Sequence, residues 1–162
     1  MWWPRLLACL LLFGLKACSP ILAPLNSDVR AKLKTVKVER MLDRPGQYMW
    51  LQLIRHLSPD LKNPNYRLHV TLKTSKEPFG LTLEGVAFRY RVTTHLTYEL
   101  KDANGRTCRK KSLFVHGSYN VVENDFFAVT SVENMTTEAN IDRLVGDLMF
   151  DLVAYFESQP TT

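Results

Sequence analysis

The chain is poor in cysteine, glycine and proline, with 3, 7 and 8 of them in 162 residues. Three cysteines cannot form the disulfide framework of a small secreted scaffold, and so little glycine and proline excludes collagen-like and low-complexity chains. Long apolar runs are almost absent. Leu6 to Leu15 is the one such stretch, too short to cross a bilayer as a finished helix, so a polytopic helical membrane protein is excluded. Familiar catalytic spacings are missing too: no His-Glu-x-x-His, no Cys-x-x-Cys, no glycine-rich phosphate loop and no Gly-x-Ser-x-Gly elbow. We therefore expect no enzyme, no catalytic residue and no cofactor. The four histidines, His56, His69, His95 and His116, are scattered, and no spacing obliges three of them to share a metal. What is present is 46% hydrophobic and 23% charged, the composition of one ordinary globular domain.

The N-terminus carries a targeting pattern. Met1 to Arg5 holds one positive charge, and Leu6 to Leu15 supplies the apolar stretch of a signal peptide. Leu15-Lys16-Ala17-Cys18 then resembles the lipobox of bacterial lipoproteins, with Lys16 as the departure from the usual small or β-branched residue. The resemblance implies removal of residues 1–17 and lipid attachment at Cys18, and Ser19 after it suits outer-membrane sorting. Several acyl chains hold a soluble domain on a membrane because each buried methylene adds about 0.8 kcal/mol. Residues 18–32 read as a tether, 33–158 as a single domain and 159–162 as a tail. Cys108 is left alone in the domain and reads as a small strand residue. An ordinary signal peptide is the alternative, and with Cys18 unacylated a Cys18–Cys108 bridge is its rival.

Charge is unevenly spread. Residues 18–122 hold 18 Lys and Arg against 8 Asp and Glu, a net of +10, whereas residues 123–162 hold Arg143 against 8 acids, a net of −7. The first part should attract anions, and the second should repel them or pack beside the first and neutralise it.

Patterning gives the elements. Val36 and Val38 face one way and Lys37 and Glu39 the other, so 33–40 reads as a strand. Asp43 and Pro45 open a helix over 45–57, closed by Ser58-Pro59. Tyr66 to Lys73 alternates cleanly as a strand, and Lys76 to Gly85, with Pro78 and Gly80, reads as a connection that admits a short extended piece at Leu81 to Leu83. Strands over 88–100 and 107–121 are joined by Asp102-Ala103-Asn104-Gly105, a hairpin turn. The stripe Ile141, Leu144, Val145, Leu148, Leu152, Phe156 is helical, its start between Ala128 and Thr137. The order β-α-β-β-β-α predicts an α/β fold of the α+β kind, a two-layer sandwich. Its two helices pack on one face of a four-stranded, mostly antiparallel sheet.

That arrangement leaves the other face polar. Lys37, Arg67, His69, Lys73, Arg89, Arg91, His95, Lys110 and His116 point away from the helices, with Glu39 and Glu99 as the chief acids. Arginine and lysine on a rigid sheet suit phosphates and carboxylates, so Arg67, Lys73, Arg89, Arg91 and Lys110 are the candidate ligand-binding residues. Basic side chains that merely solvate a sheet face are the plain alternative. The hairpin tip adds Arg106, Arg109, Lys110 and Lys111. Nucleic acid is not an expected partner, because an export signal leads where little of it is met.

In their order along the chain, several segments resemble the LPS-assembly lipoprotein LptE family. They are the lipobox-like start, Leu53-Ile54-Arg55-His56-Leu57, Tyr66-Arg67-Leu68-His69-Val70-Thr71-Leu72, the hairpin from Tyr98 to Gly105, Ser118-Tyr119-Asn120, and the last helix from Ile141 to Phe156. The Asn134-Met135-Thr136-Thr137 stretch departs from that pattern. The resemblance implies a lipid-anchored, periplasm-facing protein of the cell outer membrane that plugs and assembles with the LptD β-barrel. It also implies lipopolysaccharide binding and help in delivering it to the outer leaflet. An auxiliary lipoprotein of an envelope phospholipid or solute transporter is the alternative.

Overall fold

The computed structural model describes residues 27–60, 62, 64–83, 85–121 and 126–159. The elements run α1 (Ser27–Lys34), β1 (Val36–Val38), α2 (Arg44–Leu57), β2 (Tyr66–Leu81), β3 (Ala87–Asp102), β4 (Thr107–Asn120) and α3 (Phe126–Glu157). The strands form one sheet in the order β1-β2-β3-β4, with β1 parallel to β2 and the remaining pairs antiparallel. The fold is of the expected α+β class, with one more helix than the pattern predicts.

That extra helix corrects the start of the domain. Leu33 and Lys34 belong to α1 and not to a strand, and α1 occupies part of the stretch read as tether. Val29 and Leu33, four residues apart, share one helix face and are buried in the core. Alternation at Val36 and Val38 is true of β1 but extends over only three residues. Thr35 separates the two elements, its N–H and Oγ1 both donating to the Lys32 carbonyl.

α2 follows its sequence signals closely. Asp43 caps it by accepting the Gly46 N–H at 3.3 Å, Pro45 sits in the first turn, and Ser58 closes it in the left-handed region at φ 43°. Met49, Leu53 and Leu57 face inward against the sheet's Leu68, Val70, Leu96, Tyr98 and Leu100 and against α3.

β2 is longer than expected. Residues 76–81 continue the strand against β3, with a bulge between Pro78 and Leu81, so most of the expected connection is sheet. Proline is tolerated because β1 covers β2 only at its start. The Leu68 carbonyl accepts from Glu39 on the β1 side. With the same parity, Pro78 turns its missing N–H toward the open edge and not toward β3. Both hairpins use one device: Gly85 and Gly105 donate to the carbonyls of Thr82 and Asp102 at 3.0 Å and sit at φ 80°. Each is a four-residue turn closed by a left-handed glycine. Positive φ therefore falls on Gly105 and not on Asn104.

α3 begins at Phe126, ahead of the expected range. Thr130, Thr136 and Thr137 are weak helix formers, and each hydroxyl donates to the carbonyl four residues earlier, at 2.8 to 3.0 Å, which satisfies the hydroxyl without strengthening the helix. α3 runs the length of the sheet: Glu133 meets Lys76 and Tyr119, Asn140 meets Val92, Asp151 meets Tyr98 and Arg109. Among the described residues no helix is long and apolar enough to cross a membrane.

Candidate functional site

Strand alternation puts two surfaces on the sheet, and among the described residues helices cover the inner one. On the outer face the register aligns side chains in rows. Arg67 lies beside Lys101, His69 beside Glu99 and Lys110, Lys73 beside His95 and Phe114, and Glu77 beside Arg91 and Ser118. Thr71, Thr97 and Ser112 form a hydroxyl row between the charged ones. A shallow depression lined by His69, Thr71, Lys73, Thr97, Lys101 and Lys110 among others lies toward the β3–β4 hairpin end.

The five candidate cations do not converge. Arg67 pairs in register with Lys101, twelve residues along β3 from Arg89, or roughly 40 Å at the usual strand rise. Arg67 and Lys110 stand at one end, Arg89 and Arg91 at the other, and Lys73 midway. Their charges are also unequal in effect. Lys110 and Lys101 both pair with Glu99, whose carboxyl is held below its ordinary value chiefly by the Lys110 hydrogen bond. Arg91 pairs with Glu77 at 3.2 Å and His69 with Glu39 at 2.7 Å. Arg89 donates to a neutral acceptor, Ser118 Oγ, at 3.1 Å. Arg67 and Lys73 have no ion pair among the described residues. The face carries seven Lys and Arg (Lys37, Arg67, Lys73, Arg89, Arg91, Lys101, Lys110) against three Glu. It is as cationic as the sequence suggested, because Lys101 joins the face along with Glu77.

One sequence expectation needs correcting. The β3–β4 tip is not a set of freely available cations: Arg106 bonds Asp102, while Arg109 and Lys111 reach the inner side and bond Asp151. Asp151, on α3, is buried and accepts also from the Tyr98 hydroxyl. The acidic α3 thus partly neutralises the basic sheet, through Asp151 here and through Glu133 with Lys76 at 2.7 Å. Burial pushes the Glu133 carboxyl up, but hydrogen bonds from Lys76 and Tyr119 outweigh it and hold it below its usual value.

Three of the four histidines, His69, His95 and His116, lie on the outer face beside other side chains. His116 Nδ1 meets Thr93 Oγ1 at 2.8 Å, and His95 and His116 flank the Phe114 ring at 5.9 and 5.3 Å. Among the described residues no group of three or more His, Cys, Asp or Glu is placed to hold a metal ion. Cys108 is half-buried, with its thiol donating to the Arg106 carbonyl. Cys18 lies outside the described residues.

Sequence reasoning missed Lys101, having ended the strand at Leu100. It also missed the apolar character of the β2–β3 end. Phe79, Leu81 and Leu83 are each more than half exposed, as is Val86. The alternate spacing of Phe79, Leu81 and Leu83 was the available signal, hidden by Pro78 and Gly80.

Among the described residues the molecule is a helix-backed sheet whose other side is polar and cationic, and the fold occurs among bacterial lipoproteins. A candidate lipoprotein from Caulobacter crescentus matches with a TM-score of 0.66 at 17% identity, covering 81% of this chain and 97% of that one. The rare lipoprotein B of Shewanella oneidensis matches with a TM-score of 0.56 at 12% identity, over 75% of this chain and 96% of that one. A minor lipoprotein of Acinetobacter baumannii matches with a TM-score of 0.55 at 17% identity, over 74% and 88%. At these identities the likeness is one of fold. No family model and no curated protein matches the chain.

Proposed function

We propose that the chain is a non-enzymatic outer-membrane lipoprotein, anchored through Cys18, that plugs and assembles with an LptD-type β-barrel and binds lipopolysaccharide. One observation carries the reading. A lipobox-like Leu15-Lys16-Ala17-Cys18 precedes a domain whose fold recurs in solved lipoproteins, rare lipoprotein B among them. The bare cationic face adds support, since phosphates of an anionic glycolipid suit charge-assisted hydrogen bonds from arginine. Purifying the membrane-extracted protein with its partners tests the assembly. An outer-membrane β-barrel in the eluate is the expected result, and an inner-membrane ATP-driven transporter in its place overturns the reading.

Reversing Arg89→Asp and Arg91→Asp together should weaken lipopolysaccharide co-precipitation by about tenfold or more, since each removes a charge-assisted contact and adds repulsion. Both side chains lie on the outer face away from the core. The thermal midpoint should therefore move little while binding falls. Unchanged binding removes the face from the mechanism.

A further inference from the structure

Most of the open strand edge is blunted against further pairing. β1 is only three residues long. Beyond it the free side of β2 carries Lys73, Lys76 and Glu77 and bulges at Pro78, features that discourage another strand from adding. β4 is the opposite edge, fourteen residues long, and nothing among the described residues pairs with its far side. Arg109, Lys110 and Lys111 guard its start, but Ser112 to Asn120 is nine residues without Lys, Arg, Asp, Glu or proline. Val121 N–H donates to the Phe88 carbonyl, so the odd-numbered residues of β4 turn their backbone toward β3. Ser112, Phe114, His116 and Ser118 therefore turn theirs outward, as a template for one more strand.

The helix layer says which strand. α3 bridges β3 and β4: Asn140 donates to the Val92 carbonyl on β3, and Thr136 Cγ2 lies over Gly117 on β4. Two β4 strands paired about 4.8 Å apart would set two α3 helices about 10 Å apart, the distance at which helices pack. Met135, Ala139 and Arg143 form the flank of α3 turned to this edge, lining a groove there with Gly117 and Ser118. Asp147 follows Arg143 by one turn on the same flank. Neither has an ion pair among the described residues. Running oppositely, each α3 would place Arg143 beside the partner's Asp147. Because α3 meets β4 through Thr136 and Asn140 at Gly117 and through Asp151 at Arg109 and Lys111, Phe114 lies opposite the stretch between Arg143 and Asp147. One twofold axis thus serves both layers.

We propose that two copies of this chain pair antiparallel along β4 about a twofold axis at Phe114, joining their sheets and packing their α3 helices side by side. Phe114, 60% exposed between His95 and His116, meets the partner's Phe114 on the outer face. Ser112 pairs with the partner's His116, and Lys110 with the partner's Ser118. The two basic starts then stand about 26 Å apart, beyond the screening length. A paired stretch about 30 Å long and two layers, some 20 Å, deep covers about 1,200 Å² in total, enough for a specific dimer. The inference goes beyond the barrel reading and rests on the sheet edge, not on the cationic face.

The test uses the full chain in detergent-extracted membranes, with Cys108→Ser as background. Oxidation should couple Phe114→Cys to its own copy, since Cα atoms of a hydrogen-bonded antiparallel pair lie about 5.5 Å apart, within disulfide reach. Ser112→Cys alone should stay uncoupled, about 13 Å from its mate, yet couple to His116→Cys when the two are expressed together. Equal coupling of Ser112→Cys and Phe114→Cys would mean random collision and overturns the proposal. So does Phe114→Cys that couples to nothing, or only to a different polypeptide, which would give the edge another occupant. Sedimentation supplies a second readout. Arg143→Asp and Asp147→Arg, both exposed on α3, should each weaken association about tenfold by opposing like charges. Combined in one chain they exchange the charges and should restore it to within about threefold. A double variant as weak as the single ones overturns the helix pairing, and the proposal with it.

Discussion

Replacing Asp151 by asparagine is expected to lower the free energy of unfolding by about 2–3 kcal/mol at pH 7, read from urea denaturation. Asp151 lies on the inner face of α3 and is 6% exposed. Its carboxylate accepts from Arg109 Nε at 3.0 Å and Nη2 at 2.8 Å, from Lys111 Nζ at 2.7 Å, and from the buried Tyr98 hydroxyl. Asparagine keeps the shape but turns an amide donor toward groups that are all donors, and leaves two cations uncompensated. Loss of one partner from a fully buried pair costs about 3–5 kcal/mol. The smaller figure applies here because Arg109 and Lys111 are about two-fifths exposed and can turn to water.

The acid side of the same experiment has a definite sign. The Arg109 hydrogen bonds, aided by Lys111 and Tyr98, outweigh burial and hold the Asp151 carboxyl well below the ordinary carboxylate range. The unfolded chain therefore takes up this proton before the folded one does. The stabilisation is complete above the unfolded value, near 4, and is lost as pH falls below it toward the depressed folded value. The gap between the parent and Asp151→Asn should narrow steadily as pH drops below about 4. A gap that stays constant in acid would show that the lost stability comes from packing and not from the charge.

This cluster also shows what local pattern can and cannot reveal. α2 was readable in detail because all its determinants are local: Asp43 as cap, Pro45 in the first turn, a four-residue repeat at Met49, Leu53 and Leu57. The central strands were readable for the same reason, since Val92, Leu96, Tyr98 and Leu100 fall on alternate positions, broken only by Thr94, and all are buried. Misreadings arose where a distant neighbour decides. Asp151 looks like any helix carboxylate until β4 brings Arg109 and Lys111 against it. Pro78 ends a strand in isolation, yet an open edge beside it permits the strand to go on. Val29 gains its role only when α1 closes over the core.

The candidate site was legible in kind but not in extent. Strand parity correctly assigned Arg67, Lys73, Arg89, Arg91 and Lys110 to one face, because parity is a property of the strand alone. It could not say that these residues spread over some 40 Å, nor that Glu77 joins them, because both follow from how far β2 runs and how it pairs. Residue type alone marks a cation. Only the partner across the strand decides whether that cation is free, as the contrast between Lys110 on Glu99 and Arg89 on Ser118 illustrates.

Gly117 gives the second large effect. A Cβ at this position would lie 2.6 Å from Thr136 Cγ2 and 2.8 Å from Asn140 Oδ1, closer than such atoms approach. Neither neighbour is free to retreat. The buried Asn140 amide donates to the Val92 carbonyl at 3.1 Å and to Thr94 Oγ1 at 3.3 Å, and Thr136 Oγ1 donates to the Val132 carbonyl at 2.8 Å. Gly117→Ala should therefore destabilise by about 1–3 kcal/mol, even though alanine restricts the unfolded chain and by itself would add about 0.4–1 kcal/mol. Thr136→Ser removes the crowding methyl, so the double variant should recover part of the loss, a coupling that a double-mutant cycle measures directly. Full additivity would mean that α3 does not touch β4 at Gly117. Contact there sets how close α3 lies to the sheet, and hence where its first turns carry Phe126 and Phe127 beside the β2–β3 end.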